Sequence, residues 1–222
     1  MAIVTMAFFN VSKIMFGWFK KEKEIEEVIP EALGLRLGGA IELDKLKLQL
    51  IEDELTIEGA APTQFIQAVG EIKLGDNNRI LRFYTDDDGF IQIMQYGTEE
   101  LGVEEVKLVY YYDTLPISNQ TEWENYLNNK LVRDTWDLDS QEFYKAWDNN
   151  EPVSMTETIW TKDKPKSELD QFIMLYEREI NEDLFETLFV IAEEKIEFNQ
   201  YQRCVSLSTA FDLSQTDFKV IG

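Results

Sequence analysis

The sequence predicts an α+β fold that is rich in β-structure, with mainly antiparallel strands, two short helices inserted near the middle and an N-terminal amphipathic segment. Three observations support this prediction. Apolar and polar residues alternate with a period of two through most of the chain. Clusters of Gly, Asp and Asn separate the alternating stretches. Helix-start patterns appear between residues 121 and 147. Such strands can form either a sandwich or a strongly curved sheet.

The N-terminal 23 residues form an apolar and amphipathic segment ahead of a single β-rich domain, residues 24–222. Residues 1–19 are mostly apolar, and a lysine cluster follows them. The run has no signal-peptide pattern, and polar residues interrupt it too early for a membrane span. It resembles a helix that lies on a membrane surface, and it could equally cover an apolar face of its own domain. The predicted membrane or partner contacts are Phe16, Trp18, Phe19, Lys20, Lys21 and Lys23.

The body of the chain begins with alternating segments that predict strands. In order they are the leucines Leu33, Leu35 and Leu37, then Leu46, Leu48 and Leu50, then Leu55 and Ile57, and then residues 65–74, 79–85, 90–95 and 106–112. The run Asp86-Asp87-Asp88-Gly89 predicts a hairpin in which Gly89 takes the positive φ angle.

Two short helices are predicted next. Thr121 and Glu124 have the spacing of a capping box and open a helix that ends near Val132. Asp139 or Ser140 caps a second helix, which holds Phe143, Tyr144 and Trp147. Strand patterns return at 153–161, 172–176, 204–213 and 218–221. Residues 184–198 fit a helix as well as a strand, and their β-branched and aromatic content favours the strand.

The composition excludes several classes of function. The 222 residues include 43 acidic and 21 basic side chains, a net charge of −22, which argues against nucleic-acid binding. There is no histidine, so a Ser-His-Asp triad and a His-ligated zinc site are excluded. The single cysteine, Cys204, cannot form an internal disulfide and is predicted to be a small buried hydrophobe.

The candidate motifs favour ordinary structural roles. Asp86-Asp87-Asp88-Gly89 lacks the calcium-binding spacing of an EF-hand and is predicted to be a polar hairpin tip. Residues 134–139 contain a D-x-D pattern, but it leads into the predicted helix cap instead of ending a buried strand. Tyr110 and Tyr112 should share one strand face, packing in the core or lining a ligand groove, with Tyr111 opposite. No cofactor or metal site is predicted.

Several stretches resemble the YjfK-like family of bacterial proteins. They are the segments Met15–Lys21 and Leu35–Gly39, the run Arg82–Asp88 and the closing strand pattern. The resemblance implies a cytoplasmic protein with no defined activity or catalytic residue, often encoded beside phage-shock-like membrane-stress proteins. It begins at Met15, which favours Met15 as the natural start.

These features together predict a non-enzymatic interaction or adaptor protein in the cytoplasm. It would bind a protein partner, which could be basic, or the inner-membrane surface, and no nucleic acid. The alternative is a carboxylate-dependent hydrolase acting on a sugar or peptidic substrate, which needs two acids in one pocket. The acidic excess is expected to be uneven, higher over residues 121–194 than over residues 45–82.

Overall fold

Antiparallel strands make up most of the structure, a computed structural model that describes residues 28–57, 59–197 and 199–221. The strands are β1 (Ala40–Leu43), β2 (Thr63–Gly75), β3 (Asn78–Thr85), β4 (Gly89–Tyr96), β5 (Val103–Pro116), β6 (Thr135–Leu138), β7 (Gln141–Lys145), β8 (Val153–Thr161), β9 (Ser167–Asn181), β10 (Leu184–Glu197), β11 (Gln200–Asp212) and β12 (Phe218–Ile221). The α-helices are α1 (Lys45–Ile51) and α2 (Gln120–Asn125). The predicted β-rich, mainly antiparallel α+β class is therefore confirmed.

Eight of the strands hydrogen-bond to one another in a closed circuit. β2, β3, β4 and β5 pair in sequence order, and β5 pairs with β11. β11, β10, β9 and β8 continue the circuit. It closes where residues 68–72 of β2 pair with residues 157–161 of β8. These eight strands, here called the closed sheet, each have a neighbour on both sides, while β1 and β12 extend from β2 and β6 and β7 extend from β9.

Buried apolar side chains fall into three clusters because successive residues of a strand face opposite sides. On β10, Phe189 and Leu188 belong to different clusters for this reason. The inner cluster comes entirely from closed-sheet strands: Phe90, Val109, Ile173, Phe189, Ile191 and Ala210. One outer cluster lies under α1, β1 and β12, and the other under α2 and the β6–β7 hairpin. Side chains on the same strand faces as the inner cluster therefore point into the closed sheet.

Most predicted strands are confirmed. Those predicted over 65–74, 79–85, 90–95, 106–112, 153–161, 172–176, 204–213 and 218–221 lie within or largely within β2–β5, β8, β9, β11 and β12. The ambiguous segment that begins at residue 184 is strand β10, as its β-branched and aromatic residues favour. The leucines at 33, 35 and 37, together with Leu55 and Ile57, lie in turns and irregular segments instead of strands.

The strand prediction for Leu46, Leu48 and Leu50 is wrong, because these residues form α1. Oδ1 of Asp44 accepts hydrogen bonds from the backbone N–H groups of Leu46 (2.9 Å) and Lys47 (3.2 Å), which caps the helix. Leu48 is buried, whereas Leu46 and Leu50 are 67% and 73% exposed. The alternation therefore does not mark a buried face, and leucine and lysine favour a helix once a cap is present.

The predicted second inserted helix is also wrong. Asp139 and Ser140 have φ angles of 50° and 66° and form the two-residue turn of the β6–β7 hairpin. Both central residues of such a turn need positive φ. Aspartate and serine are favoured at turns as well as at helix caps, so the sequence pattern did not distinguish the two.

The first inserted helix is confirmed, but it starts earlier than predicted. Its N-cap is Asn119, whose side chain accepts a hydrogen bond from the backbone N–H of Glu122 (2.9 Å), and not Thr121. After α2 the chain continues as a π-helical turn, Tyr126–Lys130. In the β3–β4 turn, Asp88 adopts the positive φ angle (49°) that was predicted for Gly89.

Candidate functional site

Arg82 and Glu157 form an ion pair inside the closed sheet. Arg82 Nη1 lies 2.9 Å from Glu157 Oε2, and the two side chains are 2% and 0% exposed. Arg82 also donates hydrogen bonds to Gln92 Oε1 (3.1 Å) and Gln171 Oε1 (2.9 Å). Tyr84 donates its hydroxyl hydrogen to Glu157 Oε1 (2.8 Å). Both carboxylate oxygens are therefore occupied by donors from β3, which is separated from β8 by β2.

Close packing around this pair shows that it is a structural feature of the interior. A Cβ added at Gly70 of β2 would lie 1.7 Å from Glu157 Oε1, so glycine makes room for the carboxylate. Burial by itself lowers the pKa of Arg82, but the charge of Glu157, together with the interactions with Tyr84 and Tyr111, outweighs it and the pKa is raised. Arg82 Nη2 is buried and has no hydrogen-bond partner among the described residues.

Glu193 and Cys204 lie beside each other on paired strands. Glu193 Oε2 is 3.5 Å from Cys204 Sγ, and Oε1 accepts a hydrogen bond from Ser206 (3.2 Å). Burial raises the pKa of Glu193. Burial, together with the charge of Glu193, raises the pKa of the Cys204 thiol to about 12, so it stays protonated and weakly reactive. Cys204 is half-buried, less than predicted.

A second buried ion pair fastens the segment after α1 to the closed sheet. Arg178 Nη2 lies 2.6 Å from Glu186 Oε2, and Glu186 is 0% exposed. Glu186 Oε1 also accepts hydrogen bonds from the backbone N–H (2.8 Å) and hydroxyl (2.7 Å) of Thr56. Arg178 Nη2 in turn donates to the carbonyl of Glu54 (2.8 Å). The negative charge of this glutamate is therefore also neutralised within the chain.

A pocket of about 210 Å³ lies between the β3–β4 turn and β5, and we call it the tyrosine pocket. Its walls include Thr56, Asp87, Asp88, Tyr110, Tyr112 and Thr209. Oδ2 of Asp87 accepts hydrogen bonds from Ala61 N–H (2.7 Å), Gln64 Nε2 (3.0 Å) and the Tyr110 hydroxyl (2.9 Å). The predicted polar hairpin tip therefore also forms one wall of a concave site.

The three consecutive tyrosines differ in their surroundings. Tyr110 is partly buried at the edge of the first outer cluster, whereas Tyr112 is 38% exposed. The ring of Tyr111 lies 5.8 Å from that of Phe90, a member of the inner cluster. Pairing with β11 shifts between Tyr111 and Asp113, which leaves Tyr112 in a β-bulge. Tyr110, Tyr111 and Tyr112 all line the tyrosine pocket, which agrees with the groove alternative but does not set Tyr111 apart from the other two.

Three carboxylates at other concave surfaces already have structural roles. A 340 Å³ pocket beside α1 includes the helix cap Asp44 and Asp217. Partial burial opposes the shift, but hydrogen bonds from Lys47 and Ser214 lower the pKa of Asp217. Glu71, in a 480 Å³ pocket, pairs with Arg79 at 3.1 Å.

Two-carboxylate catalysis needs two acids that are free to act in one pocket, but Asp44, Asp87 and Glu71 in these pockets are each held by a structural hydrogen bond or ion pair. Within the described ranges there is also no group of three side chains suited to hold a metal. The carboxylate-enzyme alternative gains no support from these sites.

The predicted contact residues of the N-terminal segment are not among those that the structure describes. Phe16, Trp18, Phe19, Lys20, Lys21 and Lys23 all precede residue 28, and their role stays a prediction. No helix between residues 28 and 221, within the described ranges, has the length and apolar character to span a bilayer.

Sequence reasoning missed the buried charges at Arg82, Glu157 and Glu186. One signal was available, since Arg82 interrupts an otherwise apolar run between Leu81 and Phe83. A charge in such a position is found buried only when it is paired. The partner could not be chosen, because the pairing of β2 with β8 brings together residues that are far apart in sequence.

Comparison with known proteins agrees with the family resemblance. Residues 15–219 match a family described as "Protein of unknown function (DUF2491)". The chain is 32% identical over 201 residues to the uncharacterized protein YjfK of Escherichia coli (strain K12), and the alignment covers 86% of this chain and 90% of that protein. No solved structure matches the chain. The resemblance to the YjfK-like family is thus confirmed, and the chain belongs to the DUF2491 family.

Proposed function

We propose that this chain is a non-catalytic binding protein whose acidic surface recognises a positively charged protein partner. One observation carries the proposal. The two fully buried glutamates of the described chain, Glu157 and Glu186, are each paired with an arginine. Among the residues that the structure describes, the acidic excess is therefore borne by groups that are at least partly accessible to a partner.

The acidic charge is distributed unevenly along the chain, which supports an acidic surface on one part of the molecule. Residues 121–194 contain 19 acidic and 7 basic side chains, whereas residues 45–82 contain 6 and 5. On the β6–β7 hairpin and its approach, Asp134, Asp137, Asp139 and Glu142 are exposed. A negatively charged surface accelerates association with a positively charged partner and repels polyanions.

The test is the association rate with a basic protein captured from the native cell, measured between about 0.05 M and 0.5 M salt. One variant carries Asp134→Asn, Asp137→Asn and Glu142→Gln, and the matched control carries Glu99→Gln, Glu100→Gln and Glu104→Gln, which are equally exposed. We expect the wild-type association rate to fall about tenfold or more as the salt concentration rises. At the lowest salt concentration, the hairpin variant should associate more slowly than the control variant. The proposal would be contradicted if the association rate changed neither with the salt concentration nor with removal of the hairpin charges.

The N-terminal segment supplies the second contact in this proposal. Phe16, Trp18 and Phe19 enter an apolar surface, on the partner or on the inner membrane, while the lysines at 20, 21 and 23 meet anionic groups. Each lysine near an anionic membrane contributes about 1 kcal/mol, and the acidic body opposes this attraction.

Sedimentation with anionic liposomes tests the membrane contact. The full-length variant Lys20→Glu/Lys21→Glu/Lys23→Glu should stay in the supernatant, whereas Lys162→Glu/Lys164→Glu/Lys166→Glu, with the same change of charge, should sediment like the wild type. Equal amounts of all three proteins in the supernatant would refute a membrane role.

We also infer that the sheet is strongly curved and is not a sandwich. Support comes from the circuit of eight paired strands, because a sheet can return to its first strand only by curling. The cytoplasmic location implied by the family resemblance stays a prediction.

A further inference from the structure

The tyrosine pocket combines negative charge, aromatic rings and unused acceptors in one concave site. Asp87 and Asp88 lie on one side, and Tyr110 and Tyr112 of β5 on the other. The three hydrogen bonds that hold Asp87 all reach Oδ2. Among the described contacts, Oδ1 therefore keeps its capacity to accept.

A buried glutamine next to the pocket holds two of the pocket's lining residues in place. Gln64 is 0% exposed, and its Nε2 group donates to the Tyr110 hydroxyl (2.6 Å) and to Asp87. Its Oε1 atom is buried and has no partner among the described residues. This oxygen lies outside the residues that line the pocket, so the pocket's acceptors are the carboxylates of Asp87 and Asp88.

The surrounding field favours a cation. Burial and the charge of Asp87 raise the pKa of Tyr110. A hydrogen bond to Asp139, with some burial and the charges of Asp139, Asp113 and Asp137, raises the pKa of Tyr112 to about 12. The nearby cation Arg178 does not cancel this field, because it is neutralised by Glu186 at 2.6 Å.

The size of the pocket limits the occupant to one side chain. Its 210 Å³ is below the roughly 300–1,000 Å³ of sites for small-molecule ligands. An arginine side chain fits these groups best, because its planar guanidinium stacks on aromatic rings and donates to carboxylate oxygens. Arginine is also a residue that concentrates binding energy at interfaces.

We propose that the tyrosine pocket binds an arginine side chain of the basic protein partner, with Asp87 and Asp88 as acceptors and Tyr110 and Tyr112 as aromatic walls. This inference rests on the proposed function and gives it a specific point of contact. The acidic surface brings the partner near, and the pocket selects arginine.

The test is an NMR titration of the full-length protein with the peptide acetyl-Gly-Arg-Gly-amide. The control peptide has citrulline in place of arginine, which keeps the shape and removes the charge. We expect saturable shifts of the Asp87, Tyr110 and Tyr112 signals, with at least about tenfold weaker binding of the citrulline peptide, equivalent to 1.4 kcal/mol.

Matched variants locate the site. Asp88→Asn should weaken arginine binding several-fold, whereas Asp76→Asn, in the β2–β3 turn and also at positive φ, should not. Tyr112→Ala should weaken it as well, while the exposed control Tyr96→Ala should not. Equal binding of both peptides, or equal effects of Asp88→Asn and Asp76→Asn, would overturn the pocket assignment. If salt still controls partner association in that case, the pocket is wrong and the proposed function stands.

Discussion

Replacing Glu157 by glutamine should destabilise the protein by about 3–5 kcal/mol, because it leaves Arg82 buried without a counter-charge. The substitution keeps the shape of the side chain. Its amide oxygen can still accept from Arg82 Nη1, which lies 2.9 Å from Oε2 in the wild type. The amide nitrogen that replaces Oε1 no longer accepts from the Tyr84 hydroxyl (2.8 Å), so the substitution removes the negative charge and one acceptor. Since a domain is stable by about 5–15 kcal/mol, this loss would be a large part of the total.

Equilibrium unfolding in urea, followed by tryptophan fluorescence, measures this change. The double variant Arg82→Met/Glu157→Leu removes both charges and should regain most of the lost stability. As a control, Glu197→Gln removes the exposed partner of Lys195 and should leave the unfolding midpoint unchanged. If Glu157→Gln costs less than the roughly 1 kcal/mol of a surface pair, or if the double variant is no more stable than it, the uncompensated charge is not the cause.

Three further predictions concern the interior and one turn. Gly70→Ala puts a Cβ 1.7 Å from Glu157 Oε1 and should lower the free energy of unfolding in urea by about 1–3 kcal/mol. An unfolding midpoint equal to that of the wild type would show that this site is not crowded. Burial raises the folded-state pKa of Glu193, so the wild type loses stability as pH rises from the unfolded pKa through the folded one. Glu193→Gln should therefore be the more stable protein at pH 7 with an advantage that shrinks toward pH 4, and a pH-independent difference would refute this. Ser140→Gly relieves a φ of 66° and should add up to about 1 kcal/mol in thermal unfolding, whereas a lower midpoint would show that the turn is unstrained.

Local patterns predicted the long strands well and failed where two structures share one pattern. The hydrophobic alternation in β2 coincides with alternating burial, whereas β3 and β4 are buried on both faces of the closed sheet. In α1 the same alternation coincides with a helix in which Leu46 and Leu50 are exposed, and Asp44 decides the outcome by capping. A seven-residue segment is too short for its period to outweigh a cap.

Which strands pair could not be predicted from local patterns, and the candidate site depends on that pairing. The β2–β8 pairing that closes the sheet joins residues about ninety positions apart and brings Glu157 to Arg82. The tyrosine pocket likewise needs Thr56 to be held against β11, where its hydroxyl hydrogen-bonds to that of Thr209 (2.9 Å). Strand alternation predicted that Tyr110 and Tyr112 share a face with Tyr111 opposite, but the β-bulge at Tyr112 interrupts the alternation and all three tyrosines line the pocket.

Photo-crosslinking in the native cell tests the central claim most directly, because it reports which chemical groups meet the acidic face. The photoreactive residue p-benzoylphenylalanine replaces Tyr112 in one protein and the exposed Tyr96 in a control. The account predicts a protein adduct at position 112 but not at 96, an arginine next to the crosslinked position in the partner, and loss of the adduct in the Asp88→Asn background. An adduct that forms equally at both positions, or a partner segment rich in acidic residues at position 112, would contradict it.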